Sequence, residues 1–329
     1  MTPTWPAEWW DHRETVIIWP GRPAVWDPYL EEARQEFQEV VLRISDVEPV
    51  RVVVSPGMEH PLAGLRSRYN VTHTELLTDD AWARDTAPFF VQMPNGIEAA
   101  VSFGFNSWGG RYVPFDEDAA FGERLCSFLG IPWTLDALVL EGGAVDVDGC
   151  GTALVVESSV LATNRNPTAT KADFEGTLFH HLGVSHVIWL PHGLVDDLDT
   201  DGHVDNVARF VAPGTVVCQA RGRDREDSER LAYNSRILAT ARDARGSQLE
   251  IVEVPWLPYG TMAHGRPASY CNFYIVNDAV LVPVTGAKSD EEAVTLIGEA
   301  VQRAPVPVRA SALAYGGGGV HCIAMPRFR

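Results

Sequence analysis

The chain alternates between short apolar segments and amphipathic segments in an order that recurs along its length. The clearest copy covers residues 208–220, where two apolar runs flank Pro213 and Gly214, a pair typical of a tight hairpin turn. Residues 223–243 follow with apolar positions spaced as on one face of a helix, and residues 248–256 return to an apolar run. This order predicts an antiparallel hairpin, then a helix, then a further strand.

Further stretches of the chain repeat this order of elements. Hairpins are predicted within residues 88–103, 144–159 and 272–284, and the strands that end these units at residues 133–140, 186–191 and 306–313. A fifth unit is split between the two ends of the chain. Its hairpin would pair residues 320–326 with residues 15–20, and the helix at 26–44 and the strand at 50–56 would complete it.

These ββαβ units predict an α/β fold. We expect a five-bladed α/β propeller of pseudo-symmetric ββαβ units, in which the N- and C-terminal strands close the ring and remove exposed sheet edges. A generic open α/β sheet is the alternative. A length of 329 residues would also accommodate two domains, but no linker or low-complexity segment divides the chain, so we expect a single domain over residues 1–329.

The charge of the chain restricts its partners. Asp and Glu number 44 against 26 Lys and Arg, which gives a net charge of −18. Such an acidic surface repels nucleic acids and anionic membranes and attracts cationic ligands. No apolar run approaches the roughly 18 residues of a membrane span, and residues 1–12 lack the basic head and apolar stretch of a secretory signal. A cytoplasmic location is therefore expected.

The five cysteines are dispersed and none has CxxC spacing, so neither a disulfide framework nor a zinc site is expected. Reactive groups concentrate in four short segments that fall at predicted strand ends or loops, where functional sites usually lie. These segments are residues 79–85, 140–143, 201–205 and 316–322.

Cys322 follows a run of four glycines, which allows the backbone to approach a ligand closely. A thiol near cationic groups ionises and becomes a strong nucleophile, so Cys322 is a candidate nucleophile. The alternative is a small buried cysteine in a strand, the more common environment of this residue. His321 is adjacent, but successive strand residues face opposite sides, so His321 is not expected to be the base for Cys322.

His203 is the best candidate for that base, because Asp205 lies two residues away and would face the same side of an extended segment. The aspartates that begin at Asp197 suggest a calcium-binding loop, but the twelfth position is Ala208 instead of the required glutamate. A metal site that uses His203 and Asp205 would lack a second pair of ligands. The remaining alternative is a solvated acidic loop.

Glu141 directly follows an apolar run, and a carboxylate that emerges from a core strand should be paired or catalytic. It could orient an imidazole, or it could simply reach solvent. Asp85 follows Arg84, with which it could form an exposed ion pair of little energetic value. Taken together, these segments supply a thiol, an imidazole, an orienting carboxylate and two further carboxylates, a set that can clamp a planar guanidinium.

Across nearly its whole length the chain resembles the agmatine deiminase family, within the wider group of guanidino-modifying enzymes that includes bacterial-type peptidylarginine deiminases and arginine deiminases. The resemblance is carried by the ordered motifs WPAEWWDHRETVIIWPGR, DDAWARDTAP, FNSWGGRYVPFDED, LEGGAVDVDGCGT, NRNP, DTDGHVDNVARF, RPASYCNFYIVN and GGGGVHCI. The family's fold is the five-bladed α/β propeller, or pentein.

The resemblance implies roles for the candidate residues. The cysteine of GGGVHC is Cys322, the nucleophile, and the histidine of DGHVD is His203, the general acid and base. The glutamate of LEGG, Glu141, orients that histidine. Asp85 and Asp205 bind the guanidinium, and Trp82 lines the pocket. The implied reaction is hydrolysis of agmatine to N-carbamoylputrescine and ammonia through a covalent amidino-thioether, with no metal and no organic cofactor.

Other functions remain open from the sequence. The substrate could be another guanidine, such as free arginine, a peptidyl arginine or a specialised metabolite, and an amidinotransferase would share the fold and the nucleophile. A non-catalytic guanidine or polyamine binder is a hypothesis of a different class, and a homo-oligomer is compatible with all of them. Family members usually carry glycine where this chain has Ala87, so the backbone there could differ.

Overall fold

The computed structural model describes residues 2–58, 61–62, 70–222, 225–257, 266 and 268–329. Its strands are β1 (His12–Ile18), β2 (Val50–Val54), β3 (Val71–Glu75), β4 (Phe89–Gln92), β5 (Glu98–Gly104), β6 (Trp133–Val139), β7 (Val145–Val147), β8 (Thr152–Val156), β9 (His186–Leu190), β10 (Ala208–Ala212), β11 (Thr215–Gln219), β12 (Glu250–Val254), β13 (Tyr274–Ile275), β14 (Ala279–Val284), β15 (Ala304–Arg309) and β16 (Ala324–Phe328).

The longer helices are amphipathic or flank the sheets, and several short helices lie in the loops. In chain order they are α1 (Pro23–Trp26), α2 (Leu30–Ser45), α3 (Ala83–Thr86), α4 (Ser107–Gly110), α5 (Asp116–Ala119), α6 (Phe121–Leu129), α7 (Glu157–Val160), α8 (Lys171–Leu182), α9 (Arg225–Thr240), α10 (Asp290–Val301) and α11 (Ser311–Gly316). Single 3₁₀ turns cover Gly142–Ala144 and Val204–Asn206.

Within the described residues the strands form five sheets that share one plan. In each sheet a middle strand pairs antiparallel with one neighbour and parallel with the other. Four sheets are successive in the chain, with the orders β4-β5-β6, β7-β8-β9, β10-β11-β12 and β13-β14-β15. The predicted hairpins, including the turn at Pro213 and Gly214, and the α/β class are therefore confirmed.

The fifth sheet joins the two ends of the chain, in the order β16-β1-β2-β3. Strand β1 pairs antiparallel with β16, where Val16 is opposite Met325, and parallel with β2, where Val16 is opposite Arg51. The predicted pairing of the terminal strands is thus confirmed. Strand β3 was not predicted, because its burial alternates only weakly and gives little periodic signal.

Three predicted boundaries were wrong. Strand β16 begins at Ala324, and residues 320–323 form a turn. Residues 311–313, predicted as strand, begin α11 instead. The helix predicted from residue 26 begins at Leu30, because Asp27 precedes Pro28 and is forced into an extended conformation, with ψ of 137°. Residues 223 and 224 of the predicted helix 223–243, and Pro267 of one motif, lie outside the described residues.

The central strands are apolar without alternation because they are covered on both faces. Every residue of β8, for example, is buried. Helix α10, for example, packs against β14 and β15. Among the described helices, none is both long and apolar enough to cross a bilayer.

Candidate active site

The loops at the strand ends bring the candidate residues into one buried region. Glu141 ends the loop after β6, Asp85 lies in α3, and His203 and Asp205 lie in the segment that precedes β10. All of the candidate side chains are buried, and Asp85 is the most accessible at 7%. The residues concerned are Cys322, His203, Glu141, Asp205, Asp85 and Trp82.

Cys322 is presented by the glycine loop that follows α11. Gly317 adopts a φ of +107°, which only glycine accepts readily, and it turns the chain toward the site. The Sγ atom of Cys322 lies 3.2 Å from Nδ2 of Asn272 and 3.7 Å from Oδ2 of Asp205. A side chain at Gly319 would collide with Asn272, so this glycine lets the loop pack closely.

The expectation that His321 and Cys322 face opposite sides does not hold. Both lie in a turn instead of a strand, and both contact the same carboxylate: Nδ1 of His321 is 2.7 Å from Oδ2 of Asp205. The argument from strand alternation was therefore wrong, and that another histidine serves Cys322 stays a prediction.

Gly143 marks the point at which the site residues converge. A methyl group on its Cα would lie 2.7 Å from Nδ1 of His203, 3.0 Å from Oδ2 of Asp205 and 3.1 Å from Oδ1 of Asp85. The backbone N–H of Gly143 also donates a hydrogen bond of 2.9 Å to Oδ1 of Asp85. A glycine is therefore required here to leave space among the three side chains.

Among the described residues, His203 has no hydrogen-bond partner on either ring nitrogen. Its Nδ1 lies 3.9 Å from Oδ2 of Asp85, and its Nε2 lies 4.0 Å from Oε2 of Glu141. Oε2 of Glu141 and Oδ1 of Asp205 are also buried without a partner. Because buried polar groups are nearly always paired, this concentration of unpaired atoms indicates a binding site for a polar ligand.

The other oxygens of the carboxylates are held firmly. Arg165 donates from Nε to Oε1 of Glu141 at 2.9 Å, and Nε1 of Trp108 donates to Oδ2 of Asp85 at 2.9 Å. The alternative that Asp85 forms an exposed ion pair with Arg84 is wrong, since both side chains are buried and Arg84 binds Glu8 instead. Glu141 does not reach solvent either.

Trp82 forms one wall beside the glycine loop. A side chain at Gly318 would meet both the Trp82 ring and Cβ of Cys322, so the two residues flank this glycine. The Trp82 ring stacks on Trp26 at a centroid distance of 5.2 Å, and its Nε1 donates to Asp80 at 3.2 Å. The indole is therefore fixed in orientation beside the thiol.

The electrostatics of the site are dominated by its carboxylates. Burial lowers the pKa of His203, but the charges of Asp85, Glu141 and other carboxylates outweigh burial and raise the pKa above its ordinary value. Burial, reinforced by the charges of Asp205 and Asp85, raises the pKa of the Cys322 thiol well above its ordinary range. The negative charge of the site therefore favours the binding of a cation.

The chemistry of the donors does not favour a metal. Among the described residues, no group of three or more His, Cys, Asp or Glu side chains is arranged to hold a metal ion. A planar cation with several N–H donors matches the site better, because carboxylate oxygens of Asp85 and Asp205 lie close together and Asp205 lies 3.7 Å from the sulfur of Cys322.

Sequence reasoning missed several residues that build this site. Gly143 could have been found from the second glycine of LEGG, because a glycine next to a buried carboxylate often allows close approach. The contacts made by the partners of the site residues gave no local signal, since each contact joins side chains that are distant in the chain. These partners are Glu8, Arg84, Trp108, Arg165, Asn272 and His321.

Ala87 does not distort the backbone. Its φ of −75° and ψ of 156° are ordinary extended values that any residue adopts. The substitution of alanine at this position therefore leaves the loop after Asp85 without strain.

Comparison with known proteins supplies the family. Residues 4–327 match the model of the Porphyromonas-type peptidyl-arginine deiminases. The agmatine deiminase of Pseudomonas aeruginosa (strain LESB58) is 35% identical over 97% of this chain and 93% of that protein.

Two solved structures extend the comparison. The agmatine deiminase of Enterococcus faecalis shares 31% identity and a TM-score of 0.92, and the match covers 99% of this chain and 95% of the other. A cysteine-to-serine variant of the C. jejuni agmatine deiminase, with substrate bound, has 26% identity and a TM-score of 0.90, and covers 100% of this chain and 97% of the other.

Proposed function

The chain belongs to the Porphyromonas-type peptidyl-arginine deiminase family, and we propose that it is a hydrolase that converts agmatine and water to N-carbamoylputrescine and ammonia. The observation that carries this proposal is the set of buried atoms of His203, Glu141 and Asp205 that lack a partner among the described residues, in a site where Oδ2 of Asp205 lies 3.7 Å from the sulfur of Cys322. Agmatine is favoured because similar proteins over nearly the full length are agmatine deiminases.

The guanidinium is bound by Asp85 and Asp205. Oδ1 of Asp205 has no protein partner, and the oxygens of Asp85 accept one hydrogen bond each, which leaves lone pairs for further donors. A guanidinium held between these carboxylates presents its carbon to Cys322, and such fixed orientation removes much of the entropic barrier to attack. Trp82 lines the same space.

In the first half of the reaction, the thiolate of Cys322 attacks the guanidinium carbon and forms a tetrahedral intermediate. A carbon–nitrogen bond then breaks, and His203 donates a proton so that the nitrogen leaves as neutral ammonia. The enzyme retains an amidino-thioether on the sulfur. Glu141 lies 4.0 Å from Nε2 of His203 and stabilises the imidazolium that serves as the acid.

In the second half, His203 accepts a proton from water, and the resulting hydroxide attacks the amidino carbon. The carbon–sulfur bond breaks, the thiolate of Cys322 is regenerated, and the ureido product leaves after its new hydroxyl group loses a proton to solvent. The same residue acts first as acid and then as base, and the surrounding carboxylates raise its pKa, which favours the protonated form that the first step needs.

The charge of the substrate should control the ionisation of Cys322. Without a cation, the carboxylates of Asp205 and Asp85 keep the thiol protonated, and a bound guanidinium cancels their charge. We expect the free enzyme at neutral pH to show no thiolate absorbance in the ultraviolet, and a cationic amidine inhibitor to induce it. Thiolate that is fully present in the free enzyme at neutral pH would contradict this explanation.

A second expectation concerns the space above Gly143. Gly143→Ala places a methyl group 2.7 Å from His203, so we expect kcat/KM for agmatine to fall by about 100-fold, the loss typical of a misplaced reacting geometry. Gly176→Ala is the matched control, because a methyl group there meets nothing within 4 Å and the residue lies in α8. Steady-state kinetics and thermal unfolding of both variants provide the measurement. A folded Gly143→Ala enzyme with unchanged kcat/KM would show that the substrate does not occupy the space next to Gly143.

The experiment that tests the proposed substrate is a comparison of agmatine, free arginine, arginine peptides and other guanidines for release of ammonia and a ureido product. We expect agmatine to give the highest kcat/KM, because arginine brings an α-carboxylate into an acidic site. Activity with arginine alone would assign the chain to another substrate, and activity with none would favour the non-catalytic binder.

The finer architecture belongs to the same proposal. We infer that the five sheets are the blades of one α/β propeller, a single domain over residues 1–329 that the terminal strands close. The shared plan of the sheets and the pairing of β1 with β16 support this inference. A cytoplasmic location, a homo-oligomeric state and the absence of nucleic-acid partners stay predictions.

A further inference from the structure

A network of buried polar side chains extends from Asp205 to residues that do not contact Cys322. His321 contacts Oδ2 of Asp205 with Nδ1 at 2.7 Å and Oε2 of Glu8 with Nε2 at 3.0 Å. All three side chains are at most 7% exposed. None of them has a place in the chemical steps described above except Asp205 itself.

Glu8 is the centre of this network of side chains. Nη2 of Arg84 lies 2.7 Å from its Oε2, and Nη2 of Arg209 lies 2.9 Å from its Oε1. Arg209 in turn donates from Nε to Asp146 at 2.6 Å. Because Arg84 is adjacent to Asp85 in α3, the same carboxylate of Glu8 is linked to both segments that supply the guanidinium-binding aspartates.

The geometry makes His321 a hydrogen-bond donor to Asp205. An ionised carboxylate accepts hydrogen bonds without donating them, so Nδ1 of His321 donates to Oδ2 of Asp205, and Nε2 lies 3.0 Å from the carboxylate of Glu8. His321, Arg84 and Arg209 thus lie against the carboxylates of Asp205, Glu8 and Asp146. Buried carboxylates are tolerated when such partners accompany them.

The two oxygens of Asp205 consequently have different tasks. His321 holds Oδ2, whereas Oδ1 is buried without a partner in the part of the chain that the structure describes. The hydrogen bond at one oxygen restrains rotation of the carboxylate, so its second oxygen stays directed at the ligand. The neighbouring Asn272 contacts the sulfur of Cys322.

We propose that His321 and Glu8 are positioning residues of the deiminase, which hold Asp205 ionised and oriented so that its free oxygen binds the guanidinium. This inference rests on the proposed function and adds two residues to its machinery. Glu8 acts through His321 and contacts neither the thiol nor the guanidinium-binding oxygens.

The test compares Glu8→Gln and His321→Ala with His321→Asn, whose amide N–H can take the place of Nδ1. We expect kcat/KM for agmatine to fall by about 10- to 100-fold in the first two, as when an orienting partner is removed from a metal ligand. KM should rise more than kcat falls, because binding of the cation is impaired first. His321→Asn should recover part of the loss.

The pH profile separates positioning from a general structural role. The hydrogen bond and charge of His321 outweigh burial and lower the pKa of Asp205. Removal of His321 should therefore move the acid limb of kcat/KM to higher pH. Two controls remove comparable contacts outside the site: Asp148→Asn, a buried carboxylate in the β7–β8 turn, and His181→Asn, which contacts Asp136. Both should keep the wild-type acid limb.

Wild-type turnover of agmatine is measured first, so failure of the proposed function is seen before any variant is compared. Folded Glu8→Gln and His321→Ala enzymes with wild-type KM and acid limb would overturn the proposal. If these variants do not fold, ¹⁵N NMR of histidine in the wild-type enzyme decides. A proton on Nδ1 of His321 is expected, and a ring that carries its proton on Nε2 alone would overturn the proposal.

Discussion

Cys322→Ser should abolish the release of ammonia from agmatine while agmatine still binds. A serine hydroxyl at this position is a much weaker acid than a thiol, so it does not supply an ionised nucleophile near neutral pH. Loss of a covalent nucleophile lowers kcat by about four orders of magnitude or more in comparable hydrolases. Binding should persist because Asp85 and Asp205 are unchanged.

The measurement combines an ammonia assay with calorimetric titration of agmatine. Cys218→Ser is the matched control, since Cys218 is also a buried thiol but lies in β11, away from the glycine loop. The control should lose stability without losing turnover. Turnover by Cys322→Ser at more than a trace level would show that the sulfur does not attack the substrate.

His203→Gln should have the second largest effect. The variant lacks the group that protonates ammonia and later activates water, and it also removes a positive charge from the surrounding carboxylates. General acid–base catalysis contributes about 10²- to 10⁴-fold, so kcat should fall within that range. Glutamine is similar in size to histidine, so the substitution removes the acid–base group with little steric change.

The pH dependence of the remaining activity distinguishes loss of the acid–base group from a general disturbance of the structure of the site. In the wild-type enzyme kcat/KM should decline as pH rises through the raised pKa of His203, because the imidazole loses the proton that ammonia needs. That alkaline limb should be absent in His203→Gln and present in the control His181→Gln, which alters a histidine paired with Asp136. An unchanged alkaline limb in His203→Gln would assign the limb to another group.

The repeated hairpins could be predicted from sequence because their signals are local. A Pro-Gly turn between two apolar runs specifies an antiparallel pair within about 13 residues, and the turn at Pro213 and Gly214 illustrates this. The pairing of the N- and C-terminal strands was also predictable, but only because the repeated ββαβ order lacked a hairpin that these two strands could supply. Strand β3 carried no such signal.

The candidate site was predictable to the extent that its residues fall in recognisable motifs. The structure brings Cys322, His203, Asp205 and Asp85 together, but the contacts that hold them could not be predicted. The pairing of Glu8 with His321 joins the first residues of the chain to the last, and no periodicity or spacing relates such positions.

The strand-alternation argument about His321 failed for a physical reason. Opposite orientation of neighbours holds inside a regular strand, and the strand begins only at Ala324. In the turn before it, His321 and Cys322 can both contact Asp205, one as a hydrogen-bond partner and the other across 3.7 Å. The apolar run at residues 320–326 could be recognised in the sequence, but the residue at which strand pairing begins could not.

The attack of sulfur on a guanidinium carbon is tested most directly by mass spectrometry of the enzyme quenched in acid during its first turnovers with agmatine. We expect the peptide that contains Cys322 to gain the mass of agmatine less ammonia, and the gain to disappear as substrate is exhausted. Steady formation of ureido product with Cys322 unmodified at every time point, or with the added mass on a different residue, would contradict the covalent mechanism.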